Sequence, residues 1–325
     1  MNTVLPFHFV QDAAPAPMPA LAPSFRLPLA AATYRSAAVA QAPSAAGDTR
    51  TGEDDPAAAL RFGLLGPVEV LRADGSPVDL GPRQRRLLLV RLLTANGRPV
   101  PLDRLCHDVW AGRPPAGAVS AVHAHVSRLR GALEPGRPRN ERPRVLVSGP
   151  CGYTLHVPAA ARDTVRFGQL TEEARQRMAD GGMHAALDIL DRAMRLWRGP
   201  ALEDARDHEF ALRETARWDE AVFAARELRV SALVGLGACL PAVLDARALT
   251  EDQPLRESAW ALLMRALHGA GRTAEALLEF NRLRTVLQRE LSLEPGPELC
   301  ALRDAVHQHS PALTARRPGL AALAG

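Results

Sequence analysis

The pattern of apolar and polar positions divides the chain into three stretches. From residue 1 to 60 no period survives, because Pro breaks each apolar run in PAPMPALAP and SAAVAQAPSAAGD. Pro removes a backbone donor and clashes with the preceding turn, and so little apolar surface does not offset the entropy of ordering. The reading for 1–60 is a disordered Ala/Pro-rich lead. Its first basic residue is Arg26 and prolines interrupt its apolar runs, which argues against a secretory signal. A misplaced start codon also explains it.

From Arg61 the pattern shortens and alternates. RFGLLGPVEVL carries strand-length runs around Gly66-Pro67, Ala73-Asp74-Gly75-Ser76 is a hairpin turn signal, and Val78–Leu80 reads as a further strand. Pro82 suits a first helical position. RQRRLLLVRLLTA then places Leu87, Leu88 and Leu92 inward behind Arg83, Arg85 and Arg86, and Asn96-Gly97 ends the helix. A second helix spans Pro101–Trp110, with Leu102, Leu105, Val109 and Trp110 on one side, and Ala111–Pro115 is a loop. Pro115–Leu133 is the helix the domain is organised around. Val119, Val122, Val126, Leu129 and Leu133 recur at steps of three and four, one apolar stripe. The opposite side carries Ser120, Ala121, Ala124, Ser127 and Arg128, with His123, His125 and Arg130 on the flanks and no acid before Glu134. Small side chains with guanidinium groups among them suit close approach to a polyanion in a groove. After the polar turn EPGRPRNERPR, VLVSGPCGYTLHV forms two alternating runs around Gly149-Pro150-Cys151-Gly152, a β-hairpin. Residues 61–160 therefore read as a winged helix-turn-helix, its last helix in the major groove and its hairpin alongside.

Residues 163–309 are helical in period throughout, punctuated at Gly181-Gly182, Gly199-Pro200, Gly235/Gly237, Gly269/Gly271 and Pro295-Gly296-Pro297. Gly237 to Gly271 is 34 residues, the tetratricopeptide period, although Gly271 to Pro295 is longer than a standard repeat allows. Ala276, Phe280, Leu283 and Leu287 line one helix face. The expectation for 161–310 is a tetratricopeptide-like helical domain whose stacked pairs offer a groove, followed by a loose tail at 311–325. The fold class is mainly α with a small β component.

Composition sharpens this picture. At 325 residues the chain is long enough for two domains. All 40 basic residues are Arg. The missing Lys excludes an ordinary P-loop nucleotidase. Residues 61–160 hold 15 Arg and 7 acids, net +8, while 1–60 and 161–325 each sum to −2. The positive charge thus sits on one domain, as a phosphate-binding surface requires. Cys106, Cys151, Cys239 and Cys300 form no C-x-x-C and read as reduced thiols. No apolar run approaches the ~20 residues of a membrane span. The expected location is the cytoplasm, in association with the nucleoid.

The sharper chemical readings do not hold. His123 and His125 point to different helix faces and lack a third ligand at metal spacing, and His307 and His309 fare no better. Trp197 and Trp260 read as packing between helices. Ser120 and Ser127 lie in no G-x-S-x-G elbow, and Asp54-Asp55 fall in the lead. We expect no enzyme, no cofactor and no metal. A phosphorylation-controlled response regulator needs an α/β receiver, which 60 Pro-rich residues do not supply. A helical scaffold with a degenerate winged helix is opposed by the net +8 of residues 61–160.

PVEVLRADGSPVDLGPRQRRLLLVRLLTANGRPVPLDRLCHDVWAGRPPAGAVSAVHAHVSRLRGALEP and VLVSGPCGYTLHV resemble the DNA-binding half of Streptomyces antibiotic regulatory proteins. LWRGPAL, LTEDQPLRESAWALLMRALHGAGRTAEAL and RELSLEPGPEL resemble their bacterial transcriptional activation domain. The resemblance covers roughly residues 62–309, with both motif sets in the family's order. It implies an OmpR-type winged helix binding double-stranded DNA at promoter direct repeats with a second copy of itself. It further implies recruitment of RNA polymerase holoenzyme and activation of a secondary-metabolite gene cluster. Carried over to this chain, base contacts fall on Ser120, His123, Ala124 and Arg128. Phosphate contacts fall on Arg83, Arg85, His125, Ser127, Arg130 and Arg144, and the wing comprises Ser148, Gly149, Gly152 and Tyr153. Arg128 lies about 140° from the centre of the apolar stripe and Arg130 only about 60°, so the first enters the groove and the second leaves sideways. Two departures stand out. Gly131 replaces a basic residue and weakens the helix end by roughly 0.5–1 kcal/mol. Gly149-Pro150 occupies the wing tip where many relatives carry Arg. The family's larger members carry an ATPase domain after the activation domain, for which this chain ends too soon.

Overall fold

The computed structural model describes residues 60–138 and 140–308. Residues 1–59 of the expected lead with Asp54-Asp55, the tail and His309 lie outside the described residues.

β1 (Leu60–Gly63) and β2 (Glu69–Arg72) pair antiparallel with Phe62 opposite Val70. The Ala73–Ser76 turn closes beyond β2, with Gly75 N–H donating to Arg72 O at 2.9 Å. The strand expected at 78–80 does not form. Pro77 makes one bridge to Leu71, and Val78 N–H donates a single bond to Val70 O at 2.8 Å. Pro77 has no N–H to extend the ladder, and Gly81 at φ 72 turns the chain into the first helix. Val78 and Leu80 are nevertheless buried, so the alternation correctly marked inward positions.

α1 (Arg83–Thr94), α2 (Leu102–Val109) and α3 (Ala118–Leu133) follow. α1 runs through the middle of the domain, with Leu87, Leu88, Leu89, Val90, Leu92 and Leu93 all buried. Asn96 at φ 52 and Gly97 at φ 77 end it. β3 (Leu146–Gly149) and β4 (Gly152–Leu155) make the wing hairpin. Val100 and Tyr153 exchange both backbone hydrogen bonds, at 2.8 and 2.9 Å, so the segment before α2 adds a one-residue third strand. Gly152 has φ 117, and any Cβ there would collide with the Val100 carbonyl. Only glycine fits that approach.

The remaining elements are helices: α4 (Asp163–Ala179), α5 (Met183–Met194), α6 (Glu209–Gly235), α7 (Cys239–Asp252), α8 (Glu257–Gly269), α9 (Thr273–Leu291) and α10 (Pro297–His307). Each packs on its neighbour in sequence. One cap recurs at three hairpins. Gly181, Gly237 and Gly271, at φ 80, 73 and 77, follow α4, α6 and α8. At each, the next residue's N–H reaches back to the helix carbonyl five positions before it: Gly182 to Arg177, Ala238 to Leu233, and Arg272 to Leu267, at 2.8–2.9 Å. This is the glycine-terminated Schellman motif, and it is the origin of the 34-residue spacing seen in the sequence. Trp260 is buried with Nε1–H donating to Pro254 O at 3.0 Å, and Trp197 lies edge-on to Phe167 at 5.3 Å, so both pack between helices.

The winged helix and the helical region interpenetrate. Leu65, from the β1–β2 connection, is buried in the core built on Phe167, Leu170 and Leu190. Leu202, Ala205 and Ala211, from the helical side, are buried in the winged-helix core. Polar groups seal the exchange. The Asp163 carboxylate accepts Leu64 N–H at 2.8 Å, Leu65 N–H at 2.9 Å and Arg198 Nη2 at 3.1 Å. Arg198 also donates to Pro67 O at 2.8 Å and pairs with Glu69 at 3.2 Å. The Asp204 carboxylate accepts Val68 N–H at 2.8 Å and Arg86 Nε at 2.7 Å. The LWRGPAL segment is thus the strap that holds the β1–β2 connection.

Candidate nucleic-acid interface

α3 divides cleanly into two faces. Ala118, Val122, Val126, Leu129 and Leu133 are buried, and Val119, Ser120, His123, Ala124, Ser127, Arg128 and Gly131 are exposed. The exposed set steps alternately by one and three, which makes a continuous outer stripe on a helix. Val119 corrects the sequence expectation. It is 48% exposed, while Ala118, four residues before Val122, takes the inward position at 3%.

The exposed stripe carries Arg128 and no acid. Arg83 and Arg85 open α1, and neither they nor Arg128 makes an ion pair with any described residue. Burial, then Arg85, then Arg128 hold the His125 imidazole below its ordinary value. The helical region is different: Arg229 pairs with Asp191 and Asp245, Arg256 with Glu220 and Glu227, and Arg284 with Glu294. Those three cations are matched within the helical region, while Arg85 and Arg128 form no ion pair with any described residue. Arg144 is exposed, with its guanidinium 4.0 Å from Glu141 and its backbone N–H donating to Glu134 Oε1 at 2.8 Å.

Arg130 leaves α3 sideways, and there it meets the wing. Its Nε donates to Leu146 O at 2.8 Å, its Nη2 donates to Ser148 Oγ at 2.6 Å, and the guanidinium lies 5.9 Å from the Tyr153 ring centre. Of the five N–H groups an arginine offers, these two fasten the hairpin to the helix. His123 stands edge-on to the same Tyr153 ring at 6.4 Å. The wing tip, Ser148, Gly149, Pro150 and Cys151, is exposed, with Gly152 half-buried behind it. The structure therefore brings Ser120, His123, Ala124, Ser127, Arg128, His125, Arg130 and the wing onto one side of the domain, around α3. Among the described residues, no group of three or more His, Cys, Asp or Glu is placed to hold a metal ion, and no helix is long and apolar enough to cross a membrane.

Sequence reasoning missed two features here. Val119 was assigned inward; the signal was Ala118, which continues the four-residue step from Val122 just as well. The buried Asp108, bridged by Arg91 at 2.6 Å and Arg104 at 3.0 Å, ties α2 to α1. An acid in α2 flanked by Arg at i−4 was the available sign.

Residues 75–155 match the family described as transcriptional regulatory protein, C terminal, and residues 162–307 the bacterial transcriptional activator domain. The chain is 33% identical over 266 residues to the transcriptional regulatory protein EmbR of Mycobacterium tuberculosis, covering 82% of this chain and 68% of that protein. It is 36% identical over 262 residues to the regulatory protein AfsR of Streptomyces coelicolor, 80% of this chain and 25% of that one. It is 30% identical over 272 residues to the regulatory protein DnrI of Streptomyces peucetius, 82% and 98% respectively. Among solved structures, Mycobacterium tuberculosis EmbR in complex with a low-affinity phosphopeptide superposes with a TM-score of 0.71 at 32% identity, covering 79% of this chain and 68% of that one.

Proposed function

Because the chain belongs to the Streptomyces antibiotic regulatory protein family of transcriptional regulators, we propose that it is a pathway-specific activator. In this reading it binds direct repeats in promoter DNA as paired copies and recruits RNA polymerase to a secondary-metabolite gene cluster in the cytoplasm. DNA reading belongs to 61–160 and activation to 161–310. The observation that carries the reading is the exposed, acid-free stripe of α3, which carries Arg128 without an ion pair and has Arg85 near its His125 flank.

α3 enters the major groove, where Ser120, His123, Ala124 and Arg128 meet base edges. Arginine pairs best with guanine O6 and N7. Arg83, Arg85, His125, Ser127 and Arg144 line the phosphate walls, with any remaining Arg130 hydrogens beside them. The wing, held by Arg130, follows the backbone. The helical region, with net charge −2 over residues 161–325, is a poor partner for phosphates and a suitable one for protein.

The test is footprinting of the full chain on promoter fragments, with affinity followed against salt. The expected result is protection of a repeated element and a slope of log K on log salt of about −0.9 for each phosphate contacted. A slope near zero, or protection without a repeat, overturns the proposal.

A further inference from the structure

Val119 stands where a side chain of its kind has no structural work. Of the large apolar side chains left exposed among the described residues, it alone belongs to the winged-helix half; the rest, such as Leu240, Leu244 and Leu278, lie on the helical region. Its inward place is filled by Ala118. It sits on the first turn of α3, in the same outer stripe as Ser120, His123, Ala124 and Arg128. The first turn of a recognition helix is the part that lies closest to base edges. A β-branched residue in a helix keeps one preferred χ1 rotamer, so the two methyl groups of Val119 are held in place before any ligand arrives.

A rigid, exposed apolar group in the major groove has one natural complement there, the 5-methyl of thymine, which is the apolar feature that base edges present. We propose that Val119 is a specificity-determining residue that reads a thymine by its methyl group. The inference rests on the reading of α3 as the groove helix. It also bounds a distance. Val119 and Arg128 are nine positions apart, about 13.5 Å along a helix axis, which spans about four base pairs at 3.4 Å each. The thymine under Val119 therefore lies no more than about four base pairs from the base read by Arg128, the limit for a helix parallel to the duplex axis. Ala124, on the same stripe, offers a single methyl group and sits nearer Arg128, so a thymine it meets lies closer to the Arg128 base than the one under Val119.

The test starts from duplexes enriched by the full chain out of a random library. Each thymine is replaced in turn by uracil, which keeps the pairing and removes only the methyl group. Wild type is expected to lose about three- to fivefold in affinity at one thymine, the scale of one buried methyl-sized group, and less than 1.5-fold elsewhere. Val119→Ser, at a position already open to solvent, is expected to fold as wild type and to lose that one dependence while keeping the others. Val119→Ile is expected to retain it. The base released by Arg128→Ala should lie within about four base pairs of that thymine. Enrichment with no uracil effect that differs between wild type and Val119→Ser overturns this proposal alone. Failure to enrich any duplex overturns the groove reading beneath it.

Discussion

Asp163→Ala should cost this protein several times what the loss of an exposed ion pair costs. Asp163→Ala removes the acceptor of three donors that bind the winged helix to the helical region: Leu64 N–H, Leu65 N–H and Arg198 Nη2, at 2.8, 2.9 and 3.1 Å. A buried donor left without a partner costs about 1–3 kcal/mol. The two backbone donors are inside, whereas Arg198 keeps Pro67 O and Glu69 and contributes little to the sum. Against this, burial holds the Asp163 carboxyl above its ordinary value in spite of the hydrogen bonds from Leu65, Leu64 and Arg198, so removing it also relieves a desolvation cost. The net expectation is a loss of about 2–4 kcal/mol, against ~0–1 kcal/mol for breaking the exposed Arg175–Glu172 pair. Urea unfolding of the full chain measures both, with Trp197 and Trp218, which surround Phe167, as fluorescent reporters. A midpoint shift without a change of slope gives the stability difference. If Asp163→Ala falls within ~0.5 kcal/mol of wild type, or no further below it than Glu172→Ala, the carboxylate does not hold the two halves together.

Arg130→Ala should free the wing: amides of Leu146–Gly149 and Gly152–Leu155 should exchange faster while the base preference due to Arg128 persists, and unchanged exchange rates would show that the hairpin does not depend on this guanidinium. Gly131→Ala, in open space inside α3, should stabilise by about 0.5–1 kcal/mol, whereas Gly152→Ala, at φ 117 against the Val100 carbonyl, should destabilise by at least ~1–3 kcal/mol; thermal melting that ranks them in the opposite order refutes the turn assignment. His125 and His208 are both held below their ordinary value, by burial first and then by Arg85 and Arg128 or by Arg83. A lowered folded value means that their contribution is fully present above about pH 6.5 and is lost as pH falls through the folded values. Unfolding free energy should therefore drop below pH 6.5, less so in the His125→Gln/His208→Gln variant, and equal slopes for the two proteins would exclude these imidazoles as the cause.

What the sequence made legible was local. The stops of α1, α4, α6 and α8 were readable because glycine or Asn-Gly in the left-handed region ends a helix by its own geometry. The wing was readable because its alternation flanks a two-residue turn. The face of α3 was readable from a period, but its first turn was ambiguous: both Ala118 and Val119 fit steps of three and four, and the packing buries Ala118. The region 78–80 shows the same limit, since burial followed the alternation while hydrogen bonding followed Pro77. The role of LWRGPAL and of the Asp204 that follows it was out of reach, because Arg198 and Asp204 find their partners in Pro67, Glu69 and Val68, more than a hundred residues upstream, and no periodicity reports such a meeting. Arg130 was legible in direction and not in destination, for its partners belong to a hairpin whose distance from α3 a helical wheel does not contain.

The strap between residues 196–204 and the β1–β2 connection bears on how such regulators are recombined. Gly66, at φ 144, passes so close to Arg198 that a Cβ would lie 2.9 Å from the arginine's own Cβ. Leu65 and Leu202 each complete the interior of the other half. A chimera cut at residue 160 keeps the plug and discards the socket. To transplant this DNA specificity onto another activator, the graft must carry both sides of the joint, or redesign them as a pair; the seam between the two halves is a mortise, and it travels as one piece.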